Sequence, residues 1–191
     1  MLKRLILIAL MALMAAGCST KQEQPRSELD NLPKWVLDPY IDGTIAAVGM
    51  SPASTGGLQF QIPKAEADAR ANIAAQIETI VSRLTKDALR EVKIADQNDV
   101  ENVFSQATKS LIKEVPLSGA RRRNMFKDPE EGTLFVHMSI DNQMIQDYMR
   151  KNQSAIEASV ASSNLSRSNI KKSQEAVREL FTDLNKELKA K

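Results

Sequence analysis

The chain has 191 residues, with 26 basic and 24 acidic side chains, one histidine and one cysteine. A formal charge of +2 excludes the strong basic field of a nucleic-acid binder, and a lone cysteine excludes any disulfide within the chain. Aromatic residues make up only 4% of the sequence, so a folded core has to rest on aliphatic packing.

Lys3 and Arg4 open the chain and precede an apolar run over residues 5–16. That run is too short to cross a bilayer as a helix and reads as a secretory signal. It ends in Ala15-Ala16-Gly17-Cys18, small residues directly before the only cysteine, which resembles a bacterial lipobox. Residues 1–17 are then expected to be cleaved and the Cys18 thiol acylated. Each buried methylene of the acyl chains contributes about 0.8 kcal/mol, so such an anchor is close to permanent. Ser19, rather than an aspartate, follows Cys18, which predicts sorting to the outer membrane, with the periplasmic face expected over the cell surface. Lys3 and Arg4 account for the whole excess of base over acid, so the processed chain is neutral. Residues 18–32 comprise the lipidated cysteine and a polar, aperiodic tether.

An α+β domain is expected over residues 33–150. It enters at Pro33-Lys34-Trp35-Val36, with the only tryptophan as a core or lid aromatic. Residues 43–50 are apolar with glycine near both ends, the pattern of a buried strand. The loop Ser51-Pro52-Ala53-Ser54-Thr55-Gly56-Gly57 follows, and it matches no phosphate-binding or dinucleotide fingerprint. Pro63 suits the first turn of a long helix, along which Ala69, Ile73, Ile77, Ile80 and Leu84 draw one apolar stripe. Alanines crowd the first half of that helix, so it can approach a sheet closely.

Asn98 and Glu101 have capping-box spacing for a second helix with Val100, Phe104, Ala107 and Leu111 on its apolar side, ended by Pro116. Two strands are predicted next, over residues 117–126 and 134–140, around the turn Asp128-Pro129-Glu130-Glu131-Gly132. In the second strand Leu134, Val136, Met138 and Ile140 alternate with Phe135, His137 and Ser139. Asp141 is placed to cap a further helix with Met144, Ile145, Tyr148 and Met149 on one face. Residues 151–191 hold a serine-rich stretch and a C-terminal amphipathic helix. One helix over residues 141–190 would be about 75 Å long, far beyond a domain of this size. The tail must therefore fold back, pack on another subunit or stand free. The stripe Val177, Leu180, Phe181, Leu184 and Leu188 is the candidate seam for self-association, with a fold-back as its counterpart.

Candidates for chemistry are thin. One histidine cannot build a zinc site, and no nucleophile elbow accompanies the serines, so His137 reads as structural. Arg121-Arg122-Arg123 is the densest charge. On a strand it splits between two faces, as a charged edge or as partners for acids such as Glu130 and Glu131. No catalytic, metal or cofactor site is expected.

The helix Ala65-Glu66-Ala67-Asp68-Ala69-Arg70-Ala71-Asn72-Ile73-Ala74-Ala75-Gln76-Ile77 resembles the signature helix of the Lpp-twenty lipoprotein family. Pro33-x-Trp35-Val36 resembles that family's entry motif, and Leu134-Phe135-Val136 with Ile140-Asp141 its last strand. The resemblance covers residues 33–150. It implies a small α+β outer-membrane lipoprotein without enzymatic activity, and one branch of the family builds a disk around the flagellar motor.

The expected fold is therefore α+β, with a small antiparallel sheet packed against a long alanine-rich helix and a second helix, plus an extended C-terminal helix. The expected function is structural: a membrane-anchored, self-associating lipoprotein, with a flagellar motor or other envelope proteins as partners and no nucleic acid. The alternative is a ligand-binding or carrier lipoprotein with a pocket between sheet and helix.

Overall fold

The computed structural model describes residues 28–92, 97–113 and 115–190. The expected signal sequence, Cys18 and the expected tether up to residue 27 lie outside them, as do the side chains of Asn98 and Leu111. Glu28–Asn31 form one 3-10 turn. A compact unit spans Pro33–Lys191.

Within that unit the order is helix α1 (Lys34–Leu37), strand β1 (Thr44–Ser51), helices α2 (Leu58–Glu91) and α3 (Gln97–Lys113), strands β2 (Arg121–Lys127) and β3 (Leu134–Asp141), and helices α4 (Asn142–Ala161) and α5 (Arg167–Ala190). The class is mixed α+β, as expected. β3 is the middle strand, antiparallel to β1 on one side and to β2 on the other. Pairing Ile45 with Ile140, Ala47 with Met138 and Gly49 with Val136 sets the apolar alternation of both strands on one face. Helix α2 covers that face, and its predicted stripe from Ala69 to Leu84 is buried throughout.

Contact between α2 and β1 is as close as backbones allow. A methyl group added at Gly49 would lie 2.1 Å from the Ala65 carbonyl oxygen and 2.2 Å from the Ala69 nitrogen. Ala65 and Ala69 are themselves fully buried. The crowding of alanines in this half of the helix thus has its reason in the strand beneath it.

Two boundaries differ from expectation. Helix α2 begins at Leu58, after Gly57 turns the chain at φ +69, and Pro63 lies in its second turn. The ring removes the bond that the Gln59 carbonyl would accept, which is tolerable because both residues face solvent. Strand β2 starts at Arg121 rather than at residue 117, because Pro116 and Gly119 close a 3-10 turn over Leu117–Gly119. The hairpin turn forms as read: the Asp128 carboxylate accepts from the amides of Glu130 (2.7 Å) and Glu131 (2.9 Å), and Gly132 takes φ +70. Asp141 caps α4 by accepting from the Gln143 amide at 2.9 Å.

The largest correction concerns the tail. The serine-rich stretch breaks the helix at residues 162–166, where the Ser163 hydroxyl donates to the Val160 carbonyl and Ser166 accepts from the Asn169 amide. α5 then runs back along α4 and α2, and the Asn142 side-chain amide donates to the Leu188 carbonyl at 2.9 Å. Arg83 of α2 and Glu187 of α5 form an ion pair at the same end, and that hydrogen bond holds the guanidinium above its ordinary pKa. Val177, Leu180, Phe181, Leu184 and Leu188 are all buried inside the chain's own core. The seam proposed for self-association is therefore filled intramolecularly, because a marginal isolated helix gains more by covering its apolar face at once.

These burials set a stability prediction. Ile77→Ala and Leu184→Ala are each expected to cost about 2–5 kcal/mol in urea denaturation. Leu180→Lys with Leu184→Lys should abolish the cooperative transition instead of dissociating an oligomer. A well-folded double mutant would show that α5 is detachable.

Candidate functional site

The two edges of the sheet are treated differently. Along β1, the Met50 amide donates to the Asp68 carboxylate at 2.8 Å. The side-chain amides of Asn72 and Gln76 donate to the carbonyls of Val48 and Ala46, both at 2.9 Å. Four residues of helix rise about 6 Å and two residues of strand about 6.6 Å, so polar side chains at every fourth helix position keep step with the edge groups. Helix α2 thereby covers the outer edge of β1 and bonds one main-chain group each of Ala46, Val48 and Met50. This ladder was missed in the sequence, although Asp68, Asn72 and Gln76 flank the alanine stripe at a regular spacing of four.

The same bonds orient every strand. Ala46, Val48 and Met50 point away from β3, so Ile45, Ala47 and Gly49 exchange bonds with it, and β3 turns Phe135, His137 and Ser139 toward β2. Their partners are Phe126, Asn124 and Arg121, which leaves the main-chain groups of Met125 and Lys127 pointing outward. Among the described residues nothing pairs with them. All of β2 except Phe126 is exposed.

A register shift between Arg122 and Asn124 separates the arginines. Arg122 reaches Glu66 on α2 at 3.0 Å, so its acid partner is neither Glu130 nor Glu131. Arg123 donates to the Ser139 hydroxyl at 2.7 Å on the opposite face. The split between two faces holds, and the edge is charged.

On the face away from α2, Trp35 of α1 stacks on His137, with ring centroids 5.4 Å apart and planes within 5°. The His137 Nε2 lies 2.8 Å from the Pro39 carbonyl oxygen, which can only accept, so that nitrogen carries the proton. Nδ1 is left to accept from the Asn124 side-chain amide at 3.4 Å. Buried and bonded at both nitrogens, His137 fastens the entry segment to the sheet, and Trp35 is its lid. Beyond this lid the same face carries Phe126 and Phe135, 6.4 Å apart, and Met50, which is 55% exposed.

The remaining candidates do not converge. The Gly56-Gly57 loop is a turn into α2, its Gly56 covered by the Phe60 ring. Among the described residues no cluster of His, Cys, Asp and Glu could hold a metal ion. A carrier would need room between sheet and helix, and there Gly49 meets the α2 backbone directly. Among the described residues no helix is long and apolar enough to cross a membrane. No family model matches the chain, and no curated protein matches it in sequence.

The two edges predict different sensitivities. Asn72→Ala strips the Val48 carbonyl of its partner and should cost about 1 kcal/mol in denaturation. Arg122→Ala removes only an exposed ion pair and should cost less than about 0.5 kcal/mol, less still in high salt. Equal losses would mean that the side-chain ladder does not hold the β1 edge.

Proposed function

We propose that this chain is an outer-membrane lipoprotein with a structural role, tethered by lipid on Cys18 and presenting strand β2 to other envelope proteins. The supporting observation is the asymmetry of the sheet: three side chains of α2 bond the β1 edge, while among the described residues nothing pairs with the outward groups of β2. An open seven-residue edge is a hazard that folded proteins cover, shorten or use. Here the arginines guard it without covering it. With the α5 stripe buried, assembly runs through the sheet rather than the tail.

The sequence likeness to the Lpp-twenty lipoproteins, carried by the Trp35 entry and the alanine-rich helix, supports the same class. Its flagellar branch makes a motor or basal-disk accessory role the first assembly to examine. Nothing in this reading calls for catalysis or a cofactor.

Cys18→Ala is expected to abolish palmitate labelling and to release the protein from membranes. Label on the variant, or undiminished retention after a high-salt wash, would overturn lipid anchoring. Deleting the gene is expected to reduce swimming in soft agar. Normal swimming with intact filaments would remove the flagellar branch and leave the envelope role to other partners.

A further inference from the structure

Strand β2 offers a visitor two things at once, unpaired main-chain groups and positive charge. Among the described residues the outward amides and carbonyls of Met125 and Lys127 form a short free ladder. Arg121, Arg122, Arg123 and Lys127 lie within its seven residues, and no acid does. Only Arg122 has a carboxylate partner, so among the described residues Arg121, Arg123 and Lys127 have none. Between the charged ends stand Met125, which is 46% exposed, and the half-buried Phe126.

This layout discriminates between occupants. A second copy pairing antiparallel through the outward groups about Met125 would set Lys127 opposite Arg123, and a parallel pair in register would set arginine against arginine. Like charges directly opposite each other destabilise a strand pair, so a second copy is a poor fit. A strand of opposite charge gains the same main-chain bonds and adds attraction in place of repulsion.

We infer that β2 receives, by strand addition, an extended acidic segment of another protein. Its acids lie opposite Arg121–Arg123 and Lys127, and its apolar residues lie opposite Met125 and Phe126. The inference rests on the reading of β2 as an assembly edge and adds the chemistry of the partner. Strand addition supplies affinity through the main chain, while the charges set the choice of partner and its register.

The probe is a labelled peptide, Glu-Val-Ile-Thr-Glu-Glu-Glu, made also in reversed order and with lysine in place of every glutamate. Anisotropy and hydrogen exchange would be read on the full processed chain in non-ionic detergent. Expected are binding of a glutamate peptide, slowed amide exchange confined to residues 121–127, and at least tenfold weaker binding by Arg121→Glu with Lys127→Glu. That charge-reversed variant should prefer the lysine peptide at least tenfold, an outcome that a misfolded protein would not give.

Equal binding of glutamate and lysine peptides, with slowing still at residues 121–127, would overturn the acidic partner and leave the assembly edge standing. Slow exchange there without peptide, rising with protein concentration, would give the edge to a second copy and also overturn the inference. No change at residues 121–127 with any peptide would overturn both the acidic partner and the assembly edge.

Discussion

The contact between helix α2 and strand β1 organises this molecule. At its centre Gly49 lies against Ala65 and Ala69 with no room for a methyl group, so helix and strand meet through their backbones. Closeness alone would leave edge groups of β1 without partners beside an apolar helix, at a cost of about 1 kcal/mol for each unmade bond at this partly exposed edge. Asp68, Asn72 and Gln76 remove that cost by bonding the edge groups in step with the strand. Small residues on one line of the helix and amide or acid side chains on the next are two halves of one device. At the start of the helix, Gln61 extends it by donating to the carbonyls of Pro52 and Gly132, both at 2.9 Å. That bond ties the end of β1 to the β2–β3 turn.

A 34-residue helix is about 50 Å long, and a three-stranded sheet cannot cover it. Its first half lies on the strands, while Ile80, Val81, Leu84, Ala88 and Leu89 extend the buried face further along. The α4–α5 hairpin and α3 supply the missing cover, and this explains why the chain continues so far past its last strand. Ser162 and Ser163 are the means, since their hydroxyls donate to the carbonyls of Ser159 and Val160 and stop the helix where it must reverse. An isolated C-terminal helix becomes part of the core.

Closing one edge has a consequence for the other. Because β3 is central and β1 is covered by α2, β2 is the uncovered edge of the sheet among the described residues. That strand is fastened from both faces, by Arg122 to Glu66 and by Arg123 to Ser139, so it is held in extended form before any partner arrives. Pre-ordering of this kind lowers the entropy lost on docking. The Trp35–His137 stack does similar work on the outer face, joining the entry helix to the central strand.

Local pattern carried much of this architecture. Period-two alternation marked β3, the stripe from Ala69 to Leu84 marked α2, and the turn chemistry of Asp128 and Gly132 marked the hairpin. Each is a short-range property of consecutive side chains, readable without knowing what packs opposite. The rejection of a single helix over residues 141–190 also followed from length alone. Which surface the stripe Val177 to Leu188 would cover did not follow, because an apolar face has the same appearance whether its partner is a second copy or the chain's own α2. Nor could the sequence say that Asp68, Asn72 and Gln76 were anything but solvated polar positions, since their role exists only when β1 lies alongside. The difference between a closed edge and an open one is a relation between distant segments, and only the tertiary structure decided it.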